Sequence, residues 1–132
     1  VSELIKATDT NTEDIAKLIS GGPMMGIALS SFDVPVTKGM GAILAFLENE
    51  GQIPAQSACI NCARCADSCP IGLLPMKLNT YAEKGLYDQC KTYHIFDCIE
   101  CGSCAYVCPA KRYIVQSIRL AKQKLRQGGT VK

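Results

Sequence analysis

Eight of the nine cysteines fall into two runs of one pattern, Cys59-x2-Cys62-x2-Cys65-x3-Cys69-Pro70 and Cys98-x2-Cys101-x2-Cys104-x3-Cys108-Pro109. Each cysteine of the first run recurs 39 residues later in the second, and Ile60, Ala66 and Pro70 recur at the same offset as Ile99, Ala105 and Pro109. Self-similarity at a fixed offset marks an internal repeat. Thiolate is the soft ligand that iron prefers, and a 4Fe–4S cube asks for four of them at its corners. Three cysteines, each separated by two residues, can wrap a tight turn around one face of such a cube, with their amides toward its sulfides. The fourth cysteine, followed by proline, sits too far round to close the same cube, and in this pattern it ligates the other one. The spacing therefore predicts one 4Fe–4S cluster on Cys59, Cys62, Cys65 and Cys108 and a second on Cys98, Cys101, Cys104 and Cys69. Crossed ligation of this kind ties the two clusters together and holds them close, which favours electron hopping between them.

Other uses of the same cysteines fit less well. Zinc ribbons pair C-x2-C knuckles and have no use for a third cysteine at the same spacing plus a Cys-Pro. Cysteines three apart on a turn do not pair easily as disulfides. The ninth cysteine, Cys90, falls on one face of a predicted short helix, where a thiol behaves as a small apolar group. His94, the sole histidine, has no obvious partner and reads as structural. Two oxidised clusters with their thiolates add about −4, so positive side chains near the loops, such as Arg64 and Lys111, are candidates to offset them.

The elements that must hold these loops read as follows. Pro75 suits a first helical turn, Leu74, Leu78, Tyr81 and Ala82 recur at helical spacing, and Gly85 suits the end. A second short helix is predicted from Leu86 to about Tyr93. Beyond Pro109, Ile114, Val115, Ile118, Ala121 and Leu125 make an apolar stripe, with Arg119, Lys122, Lys124 and Arg126 outside it and Gly128-Gly129 as a stop. Upstream, Ser2 to Thr8 reads as a short capped helix and Asp9 to Asp14 as a polar turn. Lys17–Ser20, Val34–Thr37 and Ala42–Leu47 read as strands. The loop Gly21-Gly22-Pro23-Met24-Met25-Gly26 allows positive φ or close backbone approach. It lacks the ending of a phosphate-binding loop, and its methionines read as packing.

Composition bounds the rest. At 132 residues, 48% hydrophobic and 20% charged, the chain is ordinary globular protein. Its longest apolar run, Gly39 to Leu47, falls short of the roughly 18 residues of a membrane span. The start at Val1, without a charged and then apolar leader, suggests a piece cut from something longer, with no secretory signal. Charge is uneven: residues 1–66 carry four basic and seven acidic side chains, and residues 67–132 ten and five. The stretch from Pro109 to Lys132 has seven basic residues and no acid. Without an aromatic stacking platform that basic helix is read as a solvated face, and nucleic acid is not expected as a partner.

Taken together, Ile19-Ser20-Gly21-Gly22-Pro23-Met24-Met25-Gly26, Val34-Pro35-Val36-Thr37-Lys38-Gly39, Ala42-Ile43-Leu44-Ala45-Phe46, Cys59-Ile60-Asn61-Cys62-Ala63-Arg64-Cys65 and Asp97-Cys98-Ile99-Glu100-Cys101-Gly102-Ser103-Cys104 resemble the C subunit of the Rnf electron transport complex. The resemblance runs in order from about Ser2 to Arg126. It implies an α+β chain: a partial β-grasp domain of the SLBB type over residues 1–52, lacking its first strand, then an α-helical ferredoxin module with two 4Fe–4S clusters over residues 53–132. In that family an amino-terminal region binds FMN and NAD(H). Its glycine-rich motifs are absent here, so hydride chemistry is not expected on these residues. What the resemblance implies is an electron relay within a ferredoxin:NAD oxidoreductase coupled to ion translocation. Its partners would be the other subunits, and its place peripheral, on the cytoplasmic face of the bacterial membrane.

Two competitors share some of these features. The cobalamin reductase of propanediol-utilising microcompartments resembles the same Rnf component and carries two cubes, but the Val34-Pro35-Val36-Thr37-Lys38-Gly39 and Gly21–Gly26 wording favours the first reading. A docking module whose clusters only hold the fold is the alternative from another class.

Overall fold

The computed structural model describes residues 1–48 and 50–128. The chain is α+β and divides into two compact units, Val1–Pro54 and Ala55–Lys132.

The first unit holds helix α1 (Ser2–Lys6), a single 3-10 turn at Thr12–Asp14, and strands β1 (Ile15–Ser20), β2 (Ile27–Leu29) and β3 (Ile43–Leu47). The sheet has the order β2-β1-β3 and both pairings are antiparallel. The glycine-rich segment is the turn that joins β1 to β2. Gly21 takes φ +100°, and a Cβ on Gly26 would lie 2.3 Å from Ile19 Cγ2 and 2.6 Å from the Gly22 carbonyl oxygen. Neither position admits a side chain without rearrangement. Met24 and Met25, expected to pack, are instead about half exposed in this turn. A small apolar centre of Val1, Ile5 and Leu18 is flanked by Ile15, Leu29, Phe32, Val34, Met40 and Ile43.

Two further sequence expectations need correction in this unit. Val34–Thr37 is not a strand. Pro35 has no amide to give a ladder, and the neighbouring carbonyls are used elsewhere: the Val1 nitrogen donates to Val34 O at 2.8 Å, and the Ser2 amide donates to Phe32 O at 3.0 Å. The second strand is Ile27–Leu29, immediately after the glycine turn. Those same contacts stand in place of the side-chain cap expected at the start of α1, whose first residue is Ser2; no side chain caps its N-terminus.

The second unit is helical: α2 (Arg64–Asp67), α3 (Pro75–Glu83), α4 (Tyr87–Thr92), a 3-10 turn at Ile95–Asp97, α5 (Ser103–Tyr106) and α6 (Ile114–Gln127). Pro75 opens α3, where its missing N–H costs nothing. Helices α3 and α6 pack on each other, and Leu78, Ala82, Ile95, Ile114, Val115, Ile118 and Ala121 form the core with Cys90 at its centre. The Cys90 thiol is fully buried and donates to Leu78 O at 3.8 Å, so it fills the apolar role expected of it. The stripe on α6 points inward as its spacing requires, but Lys122 lies inside as well. The last residues of the basic segment, and Gly129 of the expected stop, lie outside the described residues. Among the described residues no helix is long and apolar enough to cross a membrane.

Candidate metal centre

The sequence repeat is also a repeat of backbone. Asn61 and Glu100 share a left-handed conformation, with φ of 53° and 57°, as do Ala63 and Gly102 at 61° and 86° and Gly72 and Lys111 at 70° and 52°. Each first pair member precedes its partner by the same 39 residues that separate the cysteine runs. A one-turn helix carries the third cysteine of each run (Cys65 in α2, Cys104 in α5), then a longer helix begins at Pro75 or Ile114. Left-handed residues are what curl a loop back on itself so that successive side chains reach one centre.

Two hollows result. The first, about 510 Å³ counting its open mouth, is lined by Cys59, Cys62, Cys65 and Cys108, with Ile60, Met76, Thr80, Arg112 and Ile114 among its walls. The second, about 380 Å³ also counting its open mouth, is lined by Cys98, Cys101, Cys104 and Cys69, with Ile99, Leu73, Leu78, Val115 and Ile118. Each hollow thus gathers three thiols of one run and the fourth of the other. Cys59 is brought to Cys108 by a strap on the turn behind Pro109: the Ser57 amide donates to Ala110 O at 3.0 Å, and the Tyr113 amide to Gln56 Oε1 at 3.2 Å.

All nine cysteines are free thiols. Burial pushes the Cys104 thiol up to about 12, helped by the charge of Cys98. Burial also raises Cys65 and Cys98, with Cys108 and Cys69 respectively adding to it from the opposite run. Cys101 moves the other way because the Ser103 hydroxyl and amide hydrogen-bond its sulfur. Backbone amides approach two more: Leu73 N to Cys69 Sγ and Glu100 N to Cys98 Sγ, both at 3.4 Å. Crowded buried thiols resist ionising unless a cation compensates them. Among the described residues no three His, Cys, Asp or Glu side chains converge as they would on a single metal ion. The thiols surround a space, and a cube takes its thiolates at separate corners, so donor set and arrangement fit a 4Fe–4S group in each hollow.

The charged surroundings differ from expectation. Neither Arg64 nor Lys111 lines a hollow; Arg112 does. Lys122, expected outside the apolar stripe, is 5% exposed. Its Nζ donates to Cys98 O at 2.6 Å and to Glu100 Oε1 at 2.8 Å, while Arg119 Nε donates to Glu100 Oε2 at 2.8 Å. Burial alone would raise the Glu100 carboxyl, but the hydrogen bonds and charges of Lys122 and Arg119 outweigh it and hold the group below its ordinary value. The clue in the sequence is spacing: Arg119 and Lys122 are one helical turn apart and so share a face. His94 has left-handed φ of 55° and an exposed ring 3.8 Å from the Asp97 carboxylate, and it lines neither hollow.

Residues 58–112 match a family model described as a 4Fe-4S dicluster domain. The chain is 48% identical over 118 residues to the C subunit of the proton-translocating ferredoxin:NAD(+) oxidoreductase complex of Clostridium ljungdahlii, covering 89% of this chain and 26% of that protein. It is 46% identical over 109 residues to the C subunit of the Na(+)-translocating ferredoxin:NAD(+) oxidoreductase complex of Acetobacterium woodii, covering 83% and 25%. It is also 39% identical over 125 residues to the C subunit of the ion-translocating oxidoreductase complex of Methanosarcina acetivorans, covering 95% and 28%. The chain therefore spans about a quarter of the length of these curated relatives. Over that span, the repeated cysteine loops and the matching relatives together make it a member of the family formed by the C subunits of Rnf-type ion-translocating oxidoreductase complexes, carrying a 4Fe-4S dicluster domain.

Proposed function

We propose that the chain is the electron-relay portion of an Rnf-type C subunit, holding one 4Fe–4S cluster on Cys59, Cys62, Cys65 and Cys108 and a second on Cys98, Cys101, Cys104 and Cys69. The observation that carries this reading is the lining of the two hollows, each drawing its fourth thiol from the opposite run. Groups of this kind supply one-electron storage, each taking up and releasing a single electron. The chain's own residues bind and tune. The thiols ligate; the amides of Leu73 and Glu100 donate to sulfur; Leu78, Val115 and Ile118 keep water from the inner wall of the second hollow. Because Cys69 and Cys108 each belong to one loop and serve the other, the two sites are held at a fixed separation by short stretches of chain.

The rest of the proposal follows from family membership. The other subunits of the complex are the electron partners, and the chain sits with them on the cytoplasmic face of the bacterial membrane. FMN and NAD(H) bind in the part of the relatives that this chain does not span. The first unit is a partial β-grasp domain of the SLBB type that contributes docking surface and not ligands.

Iron and acid-labile sulfide per chain, measured on anaerobically prepared protein with electron paramagnetic resonance before and after reduction, tests the reading. About eight of each, with a spin-coupled signal on reduction, is the expected result. Zinc, or no iron after anaerobic reconstitution, overturns it.

A further inference from the structure

The two hollows are built by one repeated pattern, so a wall position where they differ in polarity is a place where their clusters are made unequal. Such a position is occupied by Arg112 in the first hollow and, 39 residues earlier, by Leu73 in the second. The guanidinium is anchored from outside: Nη2 pairs with the Glu83 carboxylate, and Nη1 donates to Ser57 O at 3.4 Å. Those two contacts fix the plane of the group. Its Nε is buried and has no acceptor, the sole buried side-chain nitrogen or oxygen in that condition among the described residues. A buried N–H without a partner bears the full cost of leaving water, and a native fold keeps one where something absent from the polypeptide accepts from it. The side-chain oxygens that line the first hollow have other partners: Thr80 Oγ1 donates to Met76 O, Asn79 Oδ1 accepts from Ser117 Oγ, and Asn61 Oδ1 accepts from Cys59 Sγ. The acceptor is then what the thiols hold.

We propose that Arg112 Nε–H is a hydrogen-bond donor to the sulfur of the cluster at Cys59, Cys62, Cys65 and Cys108, and that it raises the potential of that cluster alone. This rests on the cluster assignment above. A donor to sulfur withdraws electron density and stabilises the more negative, reduced state, so its presence favours electron uptake. The second site has leucine at the equivalent place. The lysine that reaches its cysteine loop, Lys122, gives its bonds to Glu100 and to the Cys98 carbonyl, and it does not line the hollow. The asymmetry would give the relay a direction that the repeat by itself lacks.

The test is a redox titration of the anaerobically reconstituted chain followed by electron paramagnetic resonance, for the unchanged protein, Arg112→Leu and Arg112→Lys. Leucine copies the second site, and lysine keeps the charge without an Nε–H. One of the two midpoint potentials falls in both variants and the other stays. Unchanged potentials, or an equal fall in both, would overturn the proposal. A second measurement needs no variant: with 15N-labelled arginine in the unchanged chain, electron–nuclear double resonance on the reduced protein shows coupling to a guanidinium nitrogen. Its absence also overturns the proposal, even where a variant loses its cluster. Failure of the unchanged chain to take up iron would instead remove the cluster assignment, and this inference with it.

Discussion

A lysine ammonium 5% exposed has to be answered by a carboxylate, and Lys122 is answered by Glu100 at 2.8 Å. Arg119 shares that carboxylate, so one acid in the second cysteine loop fastens two turns of the terminal helix. Removing the acid alone strands a buried cation, whereas removing acid and lysine together leaves no charge to bury. Glu100→Gln should therefore cost about 1–3 kcal/mol, less than for a fully buried pair because Glu100 keeps part of its water. The double variant Glu100→Gln with Lys122→Met should recover part of that loss. Urea unfolding of the metal-free chain checks both values. A double variant no more stable than Glu100→Gln alone would mean that the ion pair does not hold the helix.

At the level of elements, close backbone approach governs the first unit. The β1–β2 turn tolerates no Cβ at Gly26, since Ile19 Cγ2 and the Gly22 and Ser20 carbonyl oxygens all stand within 2.8 Å of where it would be. Gly26→Ala should loosen the hairpin at a cost of about 1–3 kcal/mol, and Gly39→Ala, with open space around its Cβ position, should cost much less. Thermal unfolding of the two variants compares them directly; equal stability would refute the steric account. That turn was legible as a run of glycines, whereas the strand after it was not, because Ile27, Ala28 and Leu29 are too few to show alternation. Val34–Thr37 showed the β-branched pattern and yet stayed unpaired, since a pattern of side chains says nothing about which carbonyls the start of the chain will occupy. The helices fared better. Pro75, Gly85 and the α6 stripe mark bounds and faces by local chemistry. Lys122 and Arg112 were missed for one reason: each is set by residues distant in the chain, Lys122 by Glu100 and Arg112 by Ser57 and by Glu83 at the end of α3.

For the second unit as a whole, the 39-residue offset carries more than cysteines. It repeats the left-handed turns at Asn61, Ala63 and Gly72 in Glu100, Gly102 and Lys111, of which glycine stands at only one place in each half. Residue type therefore could not reveal them, but the pairing of halves does. The crossing of the fourth cysteine is the feature on which the unit's role depends, and it can be tested by combining losses. If Cys69 serves the Cys98 site, then Cys69→Ala with Cys98→Ala removes one cluster, leaving about half the iron of the unchanged chain, as either single change does. Under the same crossing, Cys69→Ala with Cys59→Ala removes both, and iron falls to about zero. Ligation within each run predicts the opposite pattern for the two pairs. Cys108→Ala supplies the mirror cycle, costing half the iron when combined with Cys59→Ala and nearly all of it with Cys98→Ala. Such non-additivity is the mark of groups that act on one site. It reads ligation from stoichiometry alone, independently of any potential. The crossed result would mean that neither half of the repeat can complete its cluster without a thiol from the other, so the two halves must fold against each other before either site is whole.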